Sequence, residues 1–490
     1  MAEQREALLL KDYYYYENCP GCKVEKRKAQ KSNPPWLHFF FIWVVTLCAA
    51  LPISSIFPFL YYMIRDFNIA KREEDVSFYA GFEGSAFMVG RTLTAVLWGI
   101  VADRYGRKPV IIFSVMAVVI FNTLFGLSVN YWMALTTRFL LGALCGILGP
   151  IRAYAAEVCR MEHQALGMAM ISSSWGIGLV IGPAIGGYLA QPAEKFPNVF
   201  SQDSIFGRFP YFLACLVISI FSLVVFFISF WLPETLHKHG ACEKIKEQTN
   251  DVEESAVWAS DAEKSQETGA GASNTLLVLL RNWPLMSAVI AYCVFQLHDM
   301  AYIEIFSLWG VSPKTYGGLG LSTQDIGQAL AVAGVGLLVC QLFVYPVLER
   351  TFGPIPVSRV GAILSIALLS SYPFIAKLSG WSLTVLVDAA SALKNVLSVS
   401  ITTGLFLLQN RAVSQEHRGA ANGLSLCAMS FCKAVGPAAA GSLLSWAETR
   451  QNAHFLPGSH MVFFILNVIE FIGFVMLFKP FLAKPAQEFS

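Results

Sequence analysis

Gly99-Ile-Val-Ala-Asp103-Arg104-Tyr105-Gly106-Arg107-Lys108 stands between two apolar stretches, each long enough to cross a bilayer. A basic turn that merely keeps Lys and Arg on one side of a membrane needs neither two glycines nor an acid at the end of an apolar run. The stretch therefore reads as a built inter-helix loop. Working outward, apolar segments and polar turns alternate along the whole chain. Of 490 residues, 55% are hydrophobic and only 14% charged, which leaves room for twelve helices of about 20 residues each. The spans are expected near 37–60, 79–101, 109–128, 131–153, 167–190, 209–232, 284–308, 325–348, 357–376, 381–408, 419–446 and 460–482. The first 36 residues are polar, and the first apolar stretch is too long for a cleavable signal sequence. With the N-terminus in the cytosol, most of the 35 Lys and Arg residues fall in cytosolic segments. An even number of spans then puts both termini there. The cysteines are mostly scattered through spans (Cys48, Cys145, Cys293, Cys340) and read as small packing residues.

The chain repeats itself. A shift of 254 residues lays Glu162-His163 on Glu416-His417, Gly182-Pro183 on Gly436-Pro437, Gly187 on Gly441 and Leu189 on Leu443. Trp132 and Trp381 open the preceding helix of each half, and Leu348-Glu349-Arg350-Thr351-Phe352-Gly353 looks like a worn copy of the Asp103 loop. The expected organisation is a tail (1–36), a six-helix bundle (37–232), a central loop (233–283), a second six-helix bundle (284–482) and a short tail (483–490). Between Glu243 and Glu267 the loop is acidic and poor in apolar residues, too polar to bury a core.

Charge inside a bilayer is costly, so each ionisable group in a span is a functional candidate. The first bundle offers Glu83, Arg91 and Arg138; the second offers His298, Asp299, Glu304, Asp388, Lys394, Lys433 and Glu470. Glu83 and Arg138 both fall toward the non-cytosolic ends of their helices and are expected to pair, for proton coupling or for helix register. In the fifth span, Gly178, Gly182, Pro183, Gly186 and Gly187 predict a thin, kinked helix that a neighbouring backbone can approach closely.

The Asp103 loop resembles the loop between helices two and three of major facilitator superfamily transporters. The resemblance implies an all-α integral membrane protein, with twelve transmembrane helices in two six-helix pseudo-repeats and substrate held near the midplane between them. It makes Gly99, Asp103, Arg104, Gly106, Arg107 and Lys108 a cytosolic gate that latches the halves near the start of helix eleven. Arg138-x-x-x-Gly142 resembles the helix-four motif tied to proton coupling, and the fifth span resembles the antiporter signature, at the contact between the halves. Helices one, four, seven and ten line the cavity in this superfamily. On that basis Glu83, Arg138, His298 and Asp299 are candidates for proton coupling. Arg152, Tyr292, Asp299, Tyr302, Glu304, Asp388 and Lys394 are candidates for substrate binding, with Asp299 and Lys394 as a breakable pair and the two tyrosines at its rim.

Cys19-Pro20-Gly21-Cys22 and Pro233-Glu234-Thr235-Leu236-His237-Lys238-His239 narrow the resemblance to the zinc-induced facilitator-like family of plant transporters. Its members are associated with efflux or vacuolar loading of nicotianamine and phytosiderophores, and some with potassium and auxin. The expectation is a proton-coupled antiporter that exports an organic metal chelator or its zinc or iron complex. It would act as a monomer in the vacuolar or plasma membrane. The rival readings are a potassium- or auxin-related transporter and a substrate-sensing receptor. Cys19, Cys22, His237 and His239 could hold a regulatory zinc ion if tail and loop meet, or could be a turn and a helix end. No other cofactor is expected, no nucleophile–base cluster points to an enzyme, and nothing points to nucleic acid.

Overall fold

The computed structural model describes residues 19–30, 35–160, 163–236, 279–413 and 418–483. Glu162, Glu416, His417, His237, His239 and most of the central loop lie outside them. The described residues form helices and turns with no strand, since a helix satisfies its backbone polar groups internally where lipid offers no partner.

The first half contains α1 (Pro20–Gln30), α2 (Trp36–Ser54), α3 (Leu60–Asp66), α4 (Val76–Tyr105), α5 (Arg107–Gly126), α6 (Tyr131–Leu144), α7 (Leu148–Val158), α8 (Gln164–Leu189) and α9 (Phe212–Ser229). The second contains α10 (Trp283–Val311), α11 (Thr323–Val339), α12 (Tyr345–Phe352), α13 (Pro354–Ile375), α14 (Trp381–Arg411), α15 (Arg418–Glu448) and α16 (Ser459–Met476). Local chemistry sets several starts. Asn130 accepts the Met133 N–H and Asn282 the Leu285 N–H, while Ser322 and Asp325 cap α11 reciprocally.

Among the described residues, ten helical stretches are long and apolar enough to cross a membrane, and Glu73–Ala95 with Leu97–Tyr105, meeting at 48°, makes an eleventh. α11 is only 17 residues long and continues through a π turn at Cys340–Val344 into α12. The fourth span, expected as one helix, breaks at Cys145–Ile147 between α6 and α7.

The halves meet along two seams built alike. On one, a Cβ added to Gly81 of α4 would lie 2.4 Å from the Pro437 carbonyl and 2.8 Å from the Gly441 Cα of α15. On the other, a Cβ added to Gly327 of α11 would lie 2.7 Å from the Pro183 carbonyl and 2.8 Å from the Gly187 Cα of α8. The repeated Gly-Pro-x-x-x-Gly stretch is thus the same inter-half contact made twice, and glycine is needed because backbone meets backbone. The remaining glycines of α8 do something else. Gly178, Gly182 and Gly186 face Ala50, Ser54 and Ser55 of the first span, so the expectation that the whole stripe contacts the other half is corrected. Only one edge of a helix can face a given neighbour, and these three, spaced by four, lie on the edge turned toward α2.

Both seams are tightest at the end remote from α1 and the Asp103 loop. There Tyr62 donates to the Leu321 carbonyl at 2.9 Å, Lys195 donates to Thr323 at 2.7 Å, and Glu448 accepts from Ser312 at 2.6 Å and Ser77 at 3.4 Å. We call this the distal end, and the other the terminal end.

Candidate functional site

At the terminal end, Gly106 takes φ +111° between α4 and α5, a conformation open to glycine. The exposed N–H groups of Arg107 and Lys108 then donate to the Glu234 carboxylate at 3.0 and 3.1 Å, as an anion at a helix N-terminus should. Arg107 is tied to Asp103 and, at 3.0 Å, to Glu157. Thr235 donates to the other Glu157 oxygen at 2.5 Å. These partners lie in the first bundle and in the Pro233 segment that follows it, so among the described residues the loop closes on its own half; residues 414–417, just before helix eleven, lie outside them. The distal seal holds the halves together at the opposite end, and Asp103 is left 69% exposed.

The Cys19 tail and the Pro233 segment do meet. Gly21 N–H donates to the Leu236 carbonyl at 3.3 Å, and Arg160 donates to the Lys28 carbonyl at 2.6 Å. α1 thereby covers a cavity of ≈ 250 Å³ lined by Val24, Lys28, Arg107, Glu157 and Thr235. Cys19 and Cys22 are buried beside it. No cluster of three or more metal-ligating side chains occurs among the described residues, which do not include His237 or His239.

Within the second bundle the ionisable residues are brought together. His298 lies 2.9 Å from Glu470 and 3.7 Å from Asp299, and Lys394 lies 3.6 Å from Asp299. Lys394 also donates to Ser398. His298, Lys394 and Glu470 are fully buried, while Asp299 is 18% exposed and forms the network's open side. Glu470 was expected only as an ionisable group in the last span, with no partner and no role in coupling or binding. Its signal was a lone acid in an otherwise apolar span, but nothing in the sequence says which helix that acid faces.

The first-bundle pair is looser than expected. No nitrogen of Arg138 comes within ion-pair distance of Glu83; instead Arg138 donates to the Pro52 carbonyl at 2.9 Å. Pro52 sits inside α2, in its last turn. Glu304, expected beside the substrate, is buried across the seam against Gly84.

Two further placements differ from the substrate-site expectation, and a third lies where it was expected. Tyr302 is buried and shares a 2.6 Å hydrogen bond with Tyr372, so it packs α10 against α13 and forms no rim. Asp388 accepts from Gln328 at 3.2 Å, away from Asp299. Tyr292 donates to the Met429 sulfur at 3.4 Å and stays half-buried, within electrostatic reach of Arg152 and Asp299. Arg152 has two cationic neighbours, Arg91 of α4 and Lys433 of α15. None of the three cations has a hydrogen-bond or ion-pair partner among the described residues.

The model of the Major Facilitator Superfamily matches residues 42–387. Protein zinc induced facilitator-like 1 of Arabidopsis thaliana is 56% identical, over 99% of this chain and 100% of its own. Protein zinc induced facilitator 1 of the same plant is 54% identical, over 98% and 99%. The chain belongs to the zinc-induced facilitator-like family of the major facilitator superfamily. The fold of this facilitator is shared with a D-xylose–proton symporter (TM-score 0.67, 13% identity, 92% of this chain and 98% of that one). It is shared too with a bacterial homologue of the lysosomal transporter Spinster in an inward-facing, occupied conformation (TM-score 0.63, 14% identity, 90% and 95%). The facilitator is a multi-pass membrane transporter of the superfamily fold.

Proposed function

We propose that this facilitator is a proton-coupled antiporter that exports a small, carboxylate-rich organic chelator, or its zinc or iron complex, from the cytosol. The observation that carries this reading is a set of cations from both halves, Arg91, Arg152 and Lys433, of which Arg152 reaches Tyr292 and Lys433 reaches Asp299, none with an ion-pair partner among the described residues. The three are half-buried; a cation drawn partly out of water without a counter-ion is costly, and a bound polycarboxylate would supply the counter-charge. Asp299 would meet the chelator's amine or the metal-bearing end. His298, Asp299 and Lys394 would exchange a proton as that partner arrives, a reading supported by their proximity and by imidazole titrating near neutral pH. The terminal end is the cytosolic one, and the distal seal makes this the state open to the cytosol. The membrane is the tonoplast or the plasma membrane, and the working unit is one chain.

An uptake panel in proteoliposomes tests the reading: nicotianamine, its zinc and iron complexes, auxin and potassium, each with and without a pH gradient. Chelator movement driven by the gradient is expected and should be abolished by Asp299→Asn. Movement of potassium or auxin alone would overturn the reading, and binding without transport would indicate a sensor. Asp103→Asn should cripple transport with the fold intact if the loop latches the halves in the opposite state. We further propose that Cys19 and Cys22 take part in a regulatory zinc site, which identical zinc titrations of wild type and the Cys19→Ser/Cys22→Ser variant would refute.

A further inference from the structure

Two carboxylates lie buried at the seam between the halves. Glu83 of α4 is 0% exposed and Glu304 of α10 is 1% exposed. None of their four oxygens has a hydrogen-bond partner. They belong to opposite bundles, yet Glu304 packs on Gly84, where an added Cβ would lie 2.9 Å from a carboxylate oxygen. The seam itself does not demand an acid. On the matching seam Gly327 takes the place of Gly81, and the residue two positions on is Ala329, buried to the same degree. A small apolar residue therefore packs this position where nothing else is asked of it.

The charged neighbours can be counted from each helix. From α6, Arg138 is within electrostatic reach of both carboxylates and Tyr131 within reach of Glu83. From α9, Cys215 faces Arg138. Tyr79 lies on α4 itself beside Tyr131. From α2 comes only the Pro52 carbonyl, which occupies one Arg138 nitrogen. On α15, the Ala438 N–H is taken by Ser85, while Lys433 sits with Arg91 and Arg152 and Glu448 is held by Ser77 and Ser312. One guanidinium thus faces two carboxylates in a dry seam. One guanidinium balances one negative charge, and a second ionised carboxylate would be left uncompensated across the interface.

We propose that Glu83 and Glu304 share one exchangeable proton that the distal seal requires, so that binding it closes the distal end and losing it opens that end. The proposal rests on the proton-driven reading above and adds where the proton acts on the conformation. It gives antiport a simple order. A proton arriving from the distal compartment closes the distal seam, and its release toward the terminal end leaves two charges whose repulsion favours reopening.

The test needs no substrate. Spin labels at Val199→Cys and Phe455→Cys, exposed in distal loops of opposite halves, report their separation by pulsed electron resonance in nanodiscs. Cys427→Ser removes the native thiol that is exposed among the described residues, Cys242→Ser one outside them, and singly labelled controls subtract the rest. Wild type should show the short, sealed distance in acid and a growing long-distance population as pH rises over roughly 5 to 9, the range open to a buried glutamate beside a second carboxylate. Glu83→Gln, Glu304→Gln and the double variant should hold the short distance at every pH, and Glu304→Asp should restore the response. A pH response that survives in the double variant, or its absence in wild type, overturns the proposal. Either result leaves the substrate reading to stand or fall on the uptake panel alone. Should the double variant not fold, either single variant decides in the same way.

Discussion

The Asp103 loop and its worn copy around Gly353 do the same job with opposite charges. In the first half, Arg107 at the start of α5 reaches Glu157 at the end of α7. In the second, Glu349 at the end of α12 is met at 2.7 Å by Arg411 at the end of α14. Each bridge ties the loop to the last turn of its bundle's fourth span, with acid and base exchanged. Both loops turn on a glycine of positive φ, +111° at Gly106 and +81° at Gly353. The next residue differs in a telling way. Arg107 brings an N–H that Glu234 must accept, whereas Pro354 has no N–H and needs no acceptor. Space follows chemistry. A Cβ on Gly106 would meet Glu234 at 2.3 Å, and one on Gly353 would meet nothing within 4 Å. The first loop is built around a half-buried carboxylate and the second dispenses with one.

That difference is best broken by alanine at the two glycines. Both substitutions impose a strained backbone costing about 1–3 kcal/mol. Gly106→Ala must also displace Glu234, which caps the N–H groups of Arg107, Lys108, Thr235 and Leu236. Disturbing those charge-assisted bonds adds roughly 1–3 kcal/mol. Thermal unfolding in detergent should therefore rank Gly106→Ala well below Gly353→Ala. Equal losses would mean that Glu234 moves aside freely and the first loop is no more committed than its copy.

The bridges give a smaller contrast. Arg107 is 14% exposed and Glu157 36%, whereas Arg411 is 53% exposed. Glu157→Gln should cost about 1 kcal/mol and Arg411→Gln less than about 0.5 kcal/mol, in keeping with how little exposed ion pairs contribute. The same melting experiment distinguishes them. A larger loss from Arg411→Gln would show that the second half depends more on its bridge.

These particulars also show how far the sequence could be read. The loop, the repeat and the membrane-length spans are local patterns, carried by glycine, proline and charge at fixed spacing. The contact that the repeated Gly-Pro-x-x-x-Gly stretch makes, twice, was legible as a repeat before its partners Gly81 and Gly327 were visible. What could not be read was rotation. Glu157 and Glu234 lie 50 and 127 residues from Arg107, and only the packed bundle turns them toward it. The facing of a helix likewise decided that Tyr302 is core, that Glu304 crosses the seam and that Glu470 joins His298. The expected Glu83–Arg138 pair is met only at longer range for the same reason: the guanidinium stays within electrostatic reach of Glu83 but gives its hydrogen bond to the Pro52 carbonyl.

The least expected effect lies at the distal end, where the halves hold each other instead of themselves. Lys195 follows α8 and donates to the Gly187 carbonyl at 2.5 Å and to Thr323 of the other half at 2.7 Å. Burial pushes its ammonium down from 10.5 to about 8, against weaker support from Glu194 and Asp325. The unfolded chain then keeps a proton, between about pH 8 and 10.5, that the folded protein has released. Where the unfolded state binds more protons, stability rises with pH. Wild type should therefore gain stability across that window, modestly because Lys195 is only half-buried, while Lys195→Met should show a flatter curve. If the two pH–melting curves run parallel, Lys195 is solvated like any surface lysine. The distal seal would then rest on the glycine seams and the Glu448 hydrogen bonds, and the contrast between an end held within bundles and an end held across them would lose the cationic tie of Lys195.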